Sequence, residues 1–283
     1  VNPLNDEVPF LRTFLIPGLL ATTQRNISRG NIDFSIYEQG KVFNQRKKIT
    51  KIPLIGIGFP PKKIVQREID ISLPNQKTHV AMLACGNFVS KNWAQHQVDH
   101  SWITATEAIN ILLNQFGTAF ELRNISSAPW HPGRAAEIRV SDVSIGVVGQ
   151  IHPKVCEMYG ISSELFGFEI DLELLISQLS DTRKFKEIGK MPYAVEDLAL
   201  VVDATVSSLK IQDAIKRAGG PAVETVNLFD VFAGSQLGEG KKSLAFRLKY
   251  RAEDRTLSSE DLTQIRERVV RRLKDDFGAV VRT

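Results

Sequence analysis

Residues 223–251 read VETVNLFDVFAGSQLGEGKKSLAFRLKYR, two strand-like runs on either side of a glycine-rich turn from Gly234 to Gly240. The second run alternates. Leu244, Phe246, Leu248 and Tyr250 point one way; Ser243, Ala245, Arg247, Lys249 and Arg251 point the other. Successive side chains of a strand fall on opposite faces, so this is a hairpin arm with an apolar face and a basic face. Lys241 to Arg251 carries five positive charges and no negative one. Such a row suits a polyanion. The same alternation assigns Phe246 to the core.

The neighbouring residues extend the pattern into a domain. Asp197 to Val202 is a strand, and Ser207 to Ala218 a helix with Ile211, Ala214, Ile215 and Ala218 inward, ended by Gly219-Gly220. Leu262, Ile265, Val269 and Leu273 mark the stripe of a second helix, which opens on a Ser258-x-x-Asp261 capping box. Gly278 to Arg282 is a last short strand. The order β-α-β-β-α-β is that of the ferredoxin-like split fold, whose helices cover one sheet face and leave the other for a ligand.

Upstream, the polar stretch SQLSDTRKFKEIGK from Ser177 to Lys190 marks a linker. We place it at 181–189, between a first domain at 1–180 and a second at 190–283. In the first domain Pro17 opens a helix through Leu19, Leu20, Thr23 and Ile27 that stops at Gly30. Ile103 to Phe116 is an amphipathic helix ended by Gly117. Strands are expected over Phe34–Phe43, Leu54–Phe59, His79–Cys85, Phe120–Ile125, Ala135–Val140, Ser144–Gln150 and Phe166–Ile170. Few helices and no regular βα alternation point to an antiparallel sheet, so the chain as a whole reads as α+β.

At 283 residues the chain can bury two cores, and 43% hydrophobic with 24% charged residues is ordinary for a globular protein. The net charge of +4 is too small to indicate nucleic-acid binding without local clustering. Two cysteines, Cys85 and Cys156, make no disulfide framework and point to a reducing compartment. No apolar run approaches the roughly 20 residues of a membrane span, and no signal peptide is visible, so a cytoplasmic location is expected. The chain opens on Val-Asn-Pro-Leu-Asn without Met, as a piece of a longer protein would.

Several motifs have a plain reading beside a sharp one. His96 and His100 are spaced for a metal but lack a third ligand, and a polar loop or helix start is preferred. His131-Pro-Gly-Arg134 reads as a tight turn opening a strand, with Gly133 supplying backbone freedom. His152-Pro153 reads as a helix entry. Cys85 reads as a buried small hydrophobe, and Trp93 and Trp102 as core or interface anchors. Gly238-x-Gly240 has no helix after it, so it is a hairpin turn rather than a phosphate loop. Arg266, Arg268, Arg271 and Arg272 read as a solvated helix face. For Arg247, Lys249 and Arg251 the solvated-face reading stays open.

The stretches Lys190-Met-Pro-Tyr-Ala-Val-Glu-Asp-Leu-Ala-Leu-Val-Val-Asp203, Leu228-Phe-Asp-Val-Phe-Ala-Gly234, Glu239-Gly-Lys-Lys-Ser-Leu-Ala245, Arg255-Thr-Leu257 and Phe277-Gly278 resemble the ferredoxin-fold anticodon-binding domain that closes the beta subunit of bacterial phenylalanine–tRNA synthetases. Upstream, Asn2-Pro-Leu, Leu11-Arg-Thr-Phe-Leu-Ile-Pro-Gly-Leu-Leu20, Ile36-Tyr-Glu-Gln-Gly-Lys-Val-Phe43, His131-Pro-Gly-Arg134 and Gly149-Gln-Ile-His-Pro153 resemble the class II synthetase-like module before it. The implied architecture is an antiparallel-sheet class II synthetase-like domain followed by a βαββαβ ferredoxin-like domain. The family's earlier modules, including its editing domain, would precede Val1.

The resemblance implies that the whole enzyme attaches phenylalanine to its tRNA, using ATP and Mg2+ on the alpha subunit, in an assembly of two alpha and two beta subunits. Class II chemistry needs arginines on ATP. Here Phe43 is followed by Asn44, and Leu165 to Leu175 is acidic and has no arginine. No catalytic residue, metal site or cofactor is therefore expected in this segment, which would dock the alpha subunit and hold the anticodon region of tRNA(Phe). Unstacked bases need flat partners, and phosphates need cations. The candidates are Phe229, Asp230, Phe232, Lys241, Lys242, Ser243, Arg247 and Lys249. Phe229 and Phe232, three apart, are expected on opposite faces. Glu196 stands where the family usually has arginine and would put a negative charge near the RNA side. The alternatives are a structural assembly module with little RNA contact, which that charge favours, and a free-standing enzyme, which the missing arginines oppose.

Overall fold

A computed structural model describes residues 10–44, 63, 73–179, 191–252 and 254–282 of the chain. The strand expected over Leu54–Phe59 and the linker at 181–189 lie outside these. The chain divides into two compact units, residues 1–183 and 184–283.

The first unit is built on a six-stranded sheet. Its order is β1 (Phe34–Asn44), β2 (Asn75–Cys85), β8 (Leu165–Asp171), β7 (Val143–Ile151), β6 (Trp130–Val140) and β5 (Glu121–Asn124). Every neighbouring pair is antiparallel. The short strands β3 (Asn87–Val89) and β4 (Val98–Asp99) pair separately. All seven residues of β8 are buried, because helices cover both faces at the centre of the sheet. On one face α1 (Ile16–Ser28) packs Leu19 and Leu20 with Leu83 and Leu165. On the other α2 (Trp102–Gln115) packs Ile109 and Leu113 with Ile138, Val148 and Phe168. Residues 165 and 168 thus serve opposite cores, as period-2 alternation requires. Gly167 is needed between β2 and β8, since a Cβ there would lie 1.9 Å from the Met82 carbonyl oxygen.

The helix entries follow from local chemistry. Ser101 and Thr104 form a reciprocal capping box at α2. His152 caps α3 (Pro153–Met158), its Nδ1 accepting from the Lys154 amide at 3.1 Å. The expected turn at His131–Arg134 is displaced. The chain turns before Trp130, whose amide donates to the Ser127 carbonyl, and residues 131–134 form an irregular stretch within β6. Gly133 does not adopt positive φ, so the freedom assigned to it is not used. Trp93 is 99% exposed and belongs to no core.

The second unit has the strand order β10 (Val223–Phe232), β11 (Lys241–Tyr250), β9 (Ala194–Asp203), β12 (Val280–Val281), again antiparallel throughout. With α5 (Ser208–Gly219) and α6 (Ser259–Phe277) this is the split βαββαβ arrangement. Both helices cover one face. Ile211 and Ile215 from α5, and Ile265, Val269 and Leu273 from α6, pack on Leu198, Leu200, Leu244, Phe246 and Leu248. Each large side chain so buried contributes about 1.5–3 kcal/mol. At the start of α6 Ser258 and Asp261 cap each other, and Arg255 grips Asp261 with both terminal nitrogens at 2.6 and 2.9 Å. Gly278 ends the helix in the left-handed region at φ 60°.

Candidate nucleic-acid interface

The helix-free face of the second sheet is set by register. Arg247 stands directly opposite Asp197 on β9 and Asn227 on β10, and Ala245 stands opposite Ala199 and Asp230. This row alternates with the buried row of Leu244, Phe246 and Leu248, as the sequence predicts.

The sequence count fails at Phe229. A bulge follows Leu228, which pairs with Phe246, while the next paired residue, Asp230, meets Ala245. One extra residue in a strand reverses the parity of everything after it. Phe229 therefore lies beside Arg247, whose guanidinium sits 5.2 Å from the ring centre. Phe232, opposite Ser243, falls on the same open side. The two phenylalanines, expected on opposite faces, share one. They are 53% and 40% exposed, which is unusual for phenylalanine and leaves flat apolar surface for a base to stack on.

Arg247 is held from two sides. Its Nε and Nη2 donate to the two Asp197 oxygens at 2.8 and 2.7 Å while Phe229 lies against it. The pairing holds the Asp197 carboxyl below the usual carboxylate range and raises Arg247. Lys249 lies over the exposed Tyr193 ring at 4.9 Å, and Arg251 approaches the same ring at 5.5 Å while pairing with Glu224. Among the described residues Lys249 has no carboxylate partner. Lys241 is exposed at the rim, opposite Asp203. The face is thus two aromatic–cation stacks with a few cations, not a strongly positive plate.

Two candidates are not available on it, one by position and one by burial. Lys242 falls on the opposite parity from Lys241, and its Nζ donates to the Ala204 carbonyl at 2.8 Å. Ser243 is 6% exposed, so its hydroxyl is covered. Glu196 is not on the open sheet face either. It lies on the helix side, where it accepts from the Tyr250 hydroxyl at 3.1 Å and pairs with Arg266 at 2.9 Å. That contact also takes Arg266 out of the purely solvated face assigned to it. Glu196 therefore serves the packing of α6, and its charge no longer favours a module with little RNA contact. Tyr193 was missed. Counting in twos back from Asp197 through Val195 reaches it, just before the strand begins.

In the first unit, Asn44 ends β1 opposite Asn75. The acidic stretch is internal scaffold. Glu169 accepts from the Leu15 amide at 3.0 Å, the Ile16 amide at 3.1 Å and His79 Nδ1 at 2.8 Å, so it caps the start of α1. Asp171 caps α4 (Leu172–Ser177) and pairs with Lys77. His100 meets Ser35 at 3.1 Å, and burial lowers its pKa. Among the described residues no group of three or more His, Cys, Asp or Glu is disposed to hold a metal ion. Among the described residues no helix is long and apolar enough to cross a membrane.

Residues 1–172 match the family described as phenylalanyl tRNA synthetase beta chain CLM domain, and residues 189–282 match the ferredoxin-fold anticodon binding domain. The chain is 35% identical to the phenylalanine–tRNA ligase beta subunit of Thermobifida fusca over 286 aligned positions, covering 99% of this chain and 34% of that protein. It is 37% identical to the subunit of the same name from Bifidobacterium longum, over 95% of this chain and 32% of that protein. The chain spans about a third of the length of the curated relatives it matches. A pyrrolysyl tRNA synthetase structure from Desulfitobacterium hafniense aligns at a TM-score of 0.38 and 17% identity over 58% of this chain and 48% of that one, too distant to carry an argument.

Proposed function

The chain belongs to the phenylalanyl-tRNA synthetase beta chain family, and we propose that its second unit holds the anticodon region of tRNA(Phe) on the open sheet face. The observation that carries this reading is the pair of exposed phenylalanines brought to one face by the β10 bulge, beside Arg247. Phe229 and Phe232 stack unpaired bases, Asp230 accepts hydrogen bonds from base edges, and Lys241 and Lys249 meet phosphates. Arg247, already neutralised by Asp197, acts mainly by holding Phe229 in place and by presenting its remaining N–H groups.

The first unit, residues 1–180, docks the catalytic alpha subunit in an assembly of two alpha and two beta chains in the cytoplasm. The chain alone has no ligase activity; ATP and Mg2+ act on the alpha subunit. What supports this is the use of Glu169 and Asp171 as internal caps, with no arginine in that stretch to meet a triphosphate. Filter binding of the anticodon stem-loop at two salt concentrations tests the first part. Affinity that falls with salt and exceeds that for a scrambled loop is expected; equal, weak binding of both loops would leave a structural assembly module. ATP–pyrophosphate exchange by the chain alone, expected to be absent, tests the second.

A further inference from the structure

The first unit contains a cavity of about 930 Å³ between the start of α1 and the sheet, within the range of small-molecule sites. Its walls are largely apolar, from Phe14, Ile16, Trp130, Ile145, Val147 and Leu174. Its polar lining includes Lys77, His79, Glu169 and Asp171, with Asn44 and Asn75 facing each other across the β1–β2 ladder.

Every charge in this lining is answered from within the protein. Lys77 Nζ is 2.5 Å from Asp171 Oδ2, and Asp171 Oδ1 accepts from the Leu174 amide at 2.9 Å. Glu169 is saturated by two backbone amides at the helix start and by His79. A charged guest would lose its water and find no free counter-charge among the described residues, which disfavours it strongly. The histidine is different. Its Nδ1 hydrogen goes to Glu169, so in the neutral ring Nε2 is left as an acceptor. Among the described residues Nε2 has no partner, although the side chain is only 14% exposed and lines the cavity.

We propose that this cavity is a binding site for a small neutral molecule with an apolar ring and one hydroxyl or N–H donor, which His79 Nε2 accepts. The site is independent of the tRNA reading, which concerns the other unit. The test uses p-cresol and toluene as probes of nearly equal shape, titrated into the 283-residue chain by calorimetry. One buried hydrogen bond is worth about five- to tenfold in affinity, so p-cresol is expected to bind tighter than toluene by that factor. His79→Leu should bring p-cresol down to the level of toluene and leave toluene unchanged. Val147→Phe, which fills the cavity, should weaken both, and it carries the test if His79→Leu does not fold by circular dichroism. The proposal is overturned by folded chain that binds neither probe, by an unchanged p-cresol to toluene ratio in His79→Leu, by undiminished binding in Val147→Phe, or by tighter binding of benzylamine or benzoate than of p-cresol.

Discussion

The Tyr250 hydroxyl donates to the Glu196 carboxylate at 3.1 Å on the helix side of the second sheet. Burial and the neighbouring carboxylate raise the Tyr250 pKa, so the phenol stays a donor throughout the ordinary pH range. Glu196 also holds Arg266 of α6, and so ties β9, β11 and α6 together. Glu196→Ala leaves that hydroxyl without its partner and is expected to lower stability by about 1–3 kcal/mol in urea denaturation. Stem-loop affinity should change less than twofold. A large drop in affinity at unchanged stability would return the residue to the RNA side.

Asp197 masks Arg247. Asp197→Asn removes the negative charge and leaves the guanidinium on the Phe229 ring. Stem-loop binding should tighten, and the plot of log affinity against log salt should steepen by about one phosphate's worth, a slope change near 0.7 for a single strand. An unchanged slope would mean that Arg247 faces no phosphate.

Lys249 and Lys242 separate the open face from the reverse face. Lys249→Ala is expected to weaken stem-loop binding and flatten its salt dependence, whereas Lys242→Ala changes neither, because that ammonium is tied to Ala204. Filter binding at several salt concentrations measures both, and equal effects of the two would contradict the register.

Phe229→Ala and Phe232→Ala should each weaken stem-loop binding by about 1–3 kcal/mol, the range for loss of one base–aromatic stack. Both rings are half-exposed, so melting temperature should move little. An effect at only one of them would show that a single base is stacked.

Glu173 on α4 is held down to about 2 by Lys41 on β1 and by two hydrogen bonds from Thr78 on β2. A carboxylate whose folded pKa is depressed adds stability above its unfolded value, about 4.3, and loses it as pH falls through the folded one. Denaturation of the chain should therefore show a stability loss between about pH 4.5 and 2 that is shallower in Lys41→Ala. Parallel profiles would show that this exposed pair is screened away.

Periodicity sufficed for the second unit because its core rows are regular. Leu244 to Tyr250 alternate without interruption, and the stripe of α6 repeats every three or four residues. What could not be read was long-range pairing. Nothing local reveals that Asp197 meets Arg247, fifty positions away. The bulge after Leu228 is invisible to a count in twos, and it reversed the reading of Phe232 relative to Phe229. Charge alone misplaces Glu196, whereas counting in twos from Leu198 puts it on the helix side. The caps at Ser258 and His152 were legible because they are settled within three residues.

The Glu169 carboxylate receives the amides of Leu15 and Ile16 across 154 and 153 positions of sequence. A chain emerging from the ribosome presents α1 long before it presents β8. Until then the first helix has neither its anionic cap nor the central strand on which Leu19 and Leu20 pack, so its apolar side stays uncovered during synthesis. Closing a loop of that length is entropically slow, and the first unit should mature late and as one cooperative step. The interval before that step is when the nascent chain is most open to chaperone capture or to misassembly.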